Sequence, residues 1–405
     1  MQTRKLSILS SAALVAVLAT AGLTLASCGG GGGGQATALQ ESRGGLGQQI
    51  FRHDTFGDEI FWSDVLRMHE VIEQAVSPNT ALAVGLKVDA DALPQAVKDG
   101  IANGSINLDS PATTLALIKL DAVVGIKGQV ETMGGVDRLV RVGVTCALCH
   151  STVDSPSGIG KRLDGWPNRD LDPGKIIALS PALTLAQKAV YNSWGKGMYD
   201  PRFNIDGLNK PATIPPAFGL SGIHKITYTG DGDTISYWNR YVAVTQMGGQ
   251  GTFTEPRLNI SITNGTQDLV SSKLQPLQAY QLSLQAPKPP DGSFDISAAA
   301  RGRDLFDGKA RCASCHSGPN FTDANERLHP PTDSMAEPEV PSHAARSATK
   351  MYRTSPLPGV WQHAPYFHDG SAATLDQVVT IYNTRMALGL TAQEIADVAQ
   401  YLKSL

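Results

Sequence analysis

The sequence predicts a mainly α-helical chain built as two similar halves behind a helical N-terminal extension. Three observations predict it. The stretch Cys146-Ala-Leu-Cys149-His150 recurs as Cys312-Ala-Ser-Cys315-His316. After each copy come a Pro-rich segment, a Tyr, an Asp-Gly pair (Asp231-Gly232 and Asp369-Gly370) and an aromatic-bearing helix, the order of a diverged repeat. Elsewhere apolar residues recur at three- and four-residue spacing behind helix-starting signals.

The repeated stretch has a chemical reading. On one helical turn, residues i and i+3 share a face. Two thiols there can form thioethers with the two vinyl groups on one edge of a haem. The next residue, His, then supplies a nitrogen to the iron. Two covalently bound haem c groups are therefore expected, on Cys146 with Cys149 and on Cys312 with Cys315, with His150 and His316 as axial ligands. Other uses of Cys-x-x-Cys fit less well. A zinc site pairing both copies would leave the two following histidines unexplained. A redox dithiol belongs at a strand-to-helix junction, a setting neither copy has. The fifth cysteine is Cys28, so no structural disulfide is expected among the five.

In chain order, residues 1–28 read as a targeting segment. Arg4 and Lys5 precede a nearly continuous apolar run from Leu6 to Ala26. That run is long enough to consider as a membrane span, but Leu25-Ala26-Ser27-Cys28 resembles a lipoprotein cleavage box, with Cys28 as the acylated residue. A plain cleaved signal and an uncleaved anchor are the alternatives. All place the body outside the cytoplasm, on the periplasmic side, and Gly29 favours the outer membrane. Residues 29–45 follow as a Gly-rich tether.

Residues 46–135 form the helical extension. A helix is expected over residues 58–72, with Ile60, Phe61, Val65, Met68 and Ile72 on one face. Asp109-Ser-Pro111 starts another, through Leu115, Ile118 and Ala122. His53 and His69 are weaker iron-ligand candidates, because nothing around either is site-like. The first haem domain spans 136–285 and holds a turn-rich loop, Gly158 to Asp170, around Trp166. Residues 286–293 are a Pro-rich linker, and 294–405 are the second haem domain. There Ser297 precedes a helix that stops at Gly308. Thr374 with Gln377 and Thr391 with Glu394 form capping boxes, the latter before an apolar face of Ile395, Val398, Ala399 and Leu402.

Cys312 to His316, the Gly-Pro-Asn-Phe-Thr-Asp after it, and Ala-Pro-Tyr366-Phe-His368-Asp-Gly-Ser-x-x-Thr-Leu together resemble bacterial di-haem cytochrome c peroxidases and their MauG-type relatives. The resemblance covers residues 298–405 well, the first motif moderately, and nothing before residue 135. It implies two cytochrome c-like domains: a first haem where a small oxidant reacts, and a second haem where electrons enter. It also implies a second distal ligand fourteen residues after His368, which is Tyr382, with Met386 one turn further as the rival. Met would raise the iron potential, whereas a Tyr oxygen favours ferric iron. The resemblance places His363 and His368 around the second haem without binding its iron.

For the first haem, the peroxidase distal His falls on Trp166, so that ligand is missing. The iron is either open, beside Asp164, Asn168 or Asp170 as proton-moving groups, or capped by His224, Met198 or Met247. Trp238 and Trp194 are candidates for the Trp that the family places between its haems. Calcium is implied by the resemblance, but no loop places it. The expected function is electron transfer to an open haem that reduces peroxide or another small oxidant. The alternative is an electron carrier with both irons six-coordinate. A small redox protein or the quinol chain would donate electrons, and the lipid anchor would hold the chain to the membrane. Composition, at 18% charged residues and a formal charge of −3, indicates no nucleic-acid partner.

Overall fold

The computed structural model describes residues 45–333, 335 and 341–405. The targeting segment with Cys28, and the tether up to residue 44, lie outside the described residues. The described residues fall in one compact unit in which helices alternate with small two-stranded sheets. One hydrophobic core runs from Ile50 to Tyr280, a second from Phe306 to Leu402, and a small third joins Leu220, Ile223, Ile226 and Ile235.

The extension opens with a helix over 45–53. The helix expected over 58–72 forms as two pieces. Ile60–Val65 is a π-helical turn, closed by a 2.9 Å hydrogen bond from Leu66 N–H to the Phe61 carbonyl. Arg67 at φ +56° then breaks the chain before the helix Met68–Ala75. The wider turn shifts the facing by one residue. Ile60 and Val65 therefore face water at 48% and 53% exposure, while Trp62 and Met68 are buried. The helix Pro111–Lys119 starts with Pro in its first turn as expected, and buries Leu115 and Ile118.

The extension is not wholly helical. Strands Ile126–Met133 and Val136–Val144 pair antiparallel as a hairpin. Gly134 and Gly135, at φ +59° and +83°, supply the two positive φ values that a tight hairpin turn requires. The boundary expected at 135/136 therefore cuts this turn, and the residues on both sides of it share the first core. The hairpin also delivers the first Cys-x-x-Cys-His. Val144 leads directly into it, and Thr145 N–H donates to the Gly125 carbonyl at 3.0 Å. A Cβ on Gly125 would lie 2.2 Å from the Leu148 backbone, so only glycine permits this approach.

In the C-terminal half, the helix Ile296–Asp307 is capped by Asp295 and ends at Gly308. It packs on the helix Ala392–Lys403, whose capping box at Thr391 and Glu394 is complete. The other box is half made: Gln377 N–H reaches Thr374, but the Gln377 side chain accepts from Ala373 N–H instead. Gly302 lies against the Asp397 carbonyl, where a Cβ would come within 2.0 Å. This closeness lets Phe306, Val398, Ala399 and Leu402 bury together. The second motif forms a single 3₁₀ turn, Cys312–Ser314, directly after this helix pair.

The two halves interlock through buried ion pairs. Arg346, from the second half, holds Asp200 at 2.9 Å and Asp206 at 2.7 Å. Arg202 pairs with Asp231 and donates to the Arg346 carbonyl. Removing one member of a buried pair typically costs about 3–5 kcal/mol, so this contact strongly resists separation of the halves. Asp231 and its expected counterpart differ in setting: Asp369 accepts from Ser371 N–H in a turn.

Asp58 gives the fold a pH signature. Its carboxylate, fully buried, accepts the Val144 N–H at 3.2 Å just before the first motif. Burial, with the Glu59 charge added, pushes its pKa well up, against the pull of that N–H. The folded chain thus keeps this proton to higher pH than the unfolded chain. Stability falls as pH rises from the ordinary carboxylate range through the raised value. Asp58→Asn keeps an oxygen for Val144 N–H and removes that loss. Its melting temperature should exceed the parent's by a margin that widens above about pH 4; parallel curves would refute the assignment.

Candidate functional site

Each Cys-x-x-Cys-His turn opens onto its own cavity. Cys146, Cys149 and His150 line one of about 250 Å³, walled by Trp62, Ile176, Tyr191, Trp194, Tyr199 and Trp238 among others. Cys312, Cys315 and His316 line another of about 550 Å³, walled by Phe306, Val379, Leu390 and Leu402 among others. Both walls are mainly apolar, which suits a large flat apolar group with a polar edge.

The two histidines are oriented alike. His150 Nδ1 lies 3.1 Å from the Pro215 carbonyl, and His316 Nδ1 lies 3.0 Å from the Phe321 carbonyl. A carbonyl only accepts, so each Nδ1 carries the proton and each Nε2 keeps its lone pair for a metal. Burial works in the same direction. It pushes the His150 pKa down to about 4 and lowers that of His316, so both rings are neutral at pH 7. The thiols of Cys146, Cys149 and Cys312 are pushed up to about 12 by burial. The two motifs do not converge on one ion: among the described residues, the grouping of metal-ligand type is Cys315, Asp323 and His329. It is not a group of oxygen ligands of the kind calcium takes. No disulfide joins Cys146, Cys149, Cys312 or Cys315.

Orphaned charges provide an independent test of whether haem fits. Arg169 lines the second cavity, and its Nε and Nη1 are shielded from solvent without a hydrogen-bond partner. Arg353 lines both cavities, and its Nε is likewise bare. Burial lowers both guanidinium pKa values, that of Arg353 to about 10. An uncompensated buried charge costs several kcal/mol. A haem carries two propionates, and a propionate beside these nitrogens would remove that cost. The residues present therefore fit the group.

The structure sorts the remaining candidates. Tyr382 and Met386 both line the second cavity. Burial raises the Tyr382 pKa, and Cys312 and Cys315 add to the rise. His363 and His368 line the same cavity. Of the three groups expected as caps for the first iron, Met247 lines the first cavity at 6% exposure. Met198 is absent from that lining, and His224 is exposed with its backbone N–H on Asn325. Trp194 and Trp238 line the first cavity without reaching the second.

Three further sets of candidates lie outside the cavities. Trp166 enters neither lining; it packs edge-on against Trp361, at 5.9 Å, and Phe218. Asp164 is tied to Arg52, Ser151 and Tyr280, Asn168 to the Gly85 carbonyl, and Asp170 to Lys87. All three hold loops together and none lines the first cavity. His53 and His69 line neither cavity.

Several site residues carry no sequence signal. His343 lines the first cavity although it lies beyond the second motif. It is buried, its ring 5.1 Å from that of His368, and burial holds its pKa well below the usual value. Tyr228 lines both cavities and shares a 2.5 Å hydrogen bond with Thr213. Each reaches its place through folding of the two halves against one another.

Comparison with known proteins places these features in context. Residues 351–388, which hold Arg353, His368, Tyr382 and Met386, match the family model described as RoxA-like, cytochrome c-like. The chain is 29% identical over 305 residues to cytochrome-c peroxidase IdrP2 of Denitromonas iodatirespirans, covering 65% of this chain and 76% of that protein. It is 31% identical over 149 residues to cytochrome-c peroxidase IdrP1 of the same organism, covering 26% of this chain and 40% of that one. Among solved structures, a MauG-like protein associated with microbial copper homeostasis aligns at 23% identity and a TM-score of 0.34. It covers 50% of this chain and 75% of that one.

Proposed function

We propose that the chain, whose relatives support a di-haem cytochrome c peroxidase/MauG-like superfamily, carries two haem c groups and reduces a small oxidant, hydrogen peroxide foremost, at the first. One observation carries the two-haem reading. Both motifs place a neutral histidine over an apolar cavity, with Nδ1 held by a backbone carbonyl.

Bound haem supplies the one-electron chemistry of its iron. The protein's part is to hold, orient and protonate. Cys146, Cys149 and His150 would hold the reacting haem, and Cys312, Cys315 and His316 would hold the electron-entry haem. Tyr382, on the wall of the second cavity, would be the further protein ligand there. Met386 is its rival on the same wall. Peroxide reduction takes two electrons and two protons per two waters formed. His343, a neutral imidazole in the first cavity, is the group placed to take a proton from peroxide and return it to the departing oxygen. Electrons would come from a small redox protein or the quinol chain. Export and a lipid anchor at Cys28 complete the proposal. The alternative, a carrier with both irons six-coordinate, is favoured by one observation: buried Met247 lines the first cavity.

Three experiments separate these readings. Cys146→Ala and Cys312→Ala should each remove one haem per chain in a pyridine haemochrome assay; an unchanged count would refute attachment. Electron paramagnetic resonance of the oxidised protein should show a high-spin ferric signal that peroxide consumes, and Tyr382→Phe should alter the separate low-spin signal. Two low-spin signals indifferent to peroxide, before and after one-electron reduction, would establish the carrier. A change on Met386→Leu in place of Tyr382→Phe would reassign the ligand. Cys28→Ser should move the protein from the membrane fraction to the soluble one, and continued sedimentation with membranes would rule out acylation there.

A further inference from the structure

Tyr228 and Arg353 are the two described residues that line both cavities. Arg353 is held firmly in that position. Its backbone N–H donates to the Tyr228 carbonyl at 2.9 Å, and its Nη1 donates to the Lys225 carbonyl at 2.7 Å. Both partners belong to the first half, so the arginine of one half is tied to the backbone of the other. Arg169, on the second cavity, donates Nη2 to the His363 carbonyl at 3.0 Å. Neither guanidinium is paired with a carboxylate among the described residues, and three of their shielded nitrogens have no partner.

Carbonyl partners satisfy individual N–H groups but leave the positive charge in place. The missing group must be an anion with two acceptor oxygens, because the guanidinium fork presents parallel donors. A carboxylate meets both requirements. We propose that Arg353 is a carboxylate anchor shared by the two cavities, binding a propionate from each haem, with Arg169 completing the anchor on the second side. This rests on the two-haem reading above. The tie has an electrical consequence. One fixed cation beside both haems stabilises the reduced, less positive form of each, so both reduction potentials depend on a single side chain.

The test is a spectroelectrochemical titration of the haem-loaded protein, with resonance Raman of the propionate bending bands. Arg353→Gln should shift both haem equilibria toward the oxidised form by on the order of tenfold each, which is 59 mV for a one-electron couple. The propionate bands of both haems should move. Arg353→Lys, which keeps the charge and loses the fork, should move the bands of both with a smaller change in potential. It serves as the test should the Gln variant fail to load haem. Arg169→Gln should affect the second haem alone. A shift confined to one haem in the Arg353 variants would overturn the shared anchor. Unmoved propionate bands, with potentials that follow added acetate, would assign the arginine to a free carboxylate and overturn it as well. A wild-type haem count below two would instead remove the reading on which the anchor stands.

Discussion

The hydrogen bond from His150 Nδ1 to the Pro215 carbonyl, repeated between His316 and Phe321, is the interaction on which the rest of the structure turns. It decides which ring nitrogen faces the cavity, while burial keeps the imidazole neutral. For that bond to form, the chain must bring a carbonyl beside each motif and leave the other face of the ring open. In the first half the carbonyl comes from the Pro-rich segment sixty-five residues downstream. In the second it comes from a turn five residues away. The same chemistry is reached by two different routes, as expected of a repeat whose loops have diverged while its site has not.

A protein built around two cavities buries less of its own side-chain surface and leaves some charges exposed to a void. The orphaned nitrogens of Arg169 and Arg353 are the clearest sign of this. In a filled core they would be a serious defect, since a bare buried charge outweighs several ordinary hydrogen bonds. Beside the carboxylates of the proposed haems they would become binding groups. Stability elsewhere comes from close packing, such as Gly302 against Asp397, and from the Arg346 to Asp200 and Asp206 clasp between the halves.

Much of the site was readable from residue order. The two motifs and the helix caps at Thr374 and Thr391 follow from short-range spacing; the helix before the second motif is capped by Asp295 and not by Ser297, which lies inside it, and Tyr382 was reached through the resemblance. The hairpin of residues 126–144 also had a local signal, Gly134-Gly135 between two alternating runs, although its neighbours read as part of a helical extension. The π-helical turn at Ile60–Val65 had none. Its apolar spacing is that of an ordinary helix, and the shift of one residue comes from packing beneath the hairpin.

The sequence by itself determined the attachment chemistry, because thioether formation needs only two cysteines one turn apart and a histidine beside them. It also determined the helix starts at Thr374 and Thr391, since capping is a matter of a few consecutive residues. Tertiary structure alone decided what lines each cavity. His343 reaches the first cavity from the second half, Arg353 reaches both, and Trp166 turns away to pack on Trp361. The physical reason is distance along the chain. A cavity wall collects side chains from residues more than a hundred positions apart, and no local pattern records which of them the folded halves will press together.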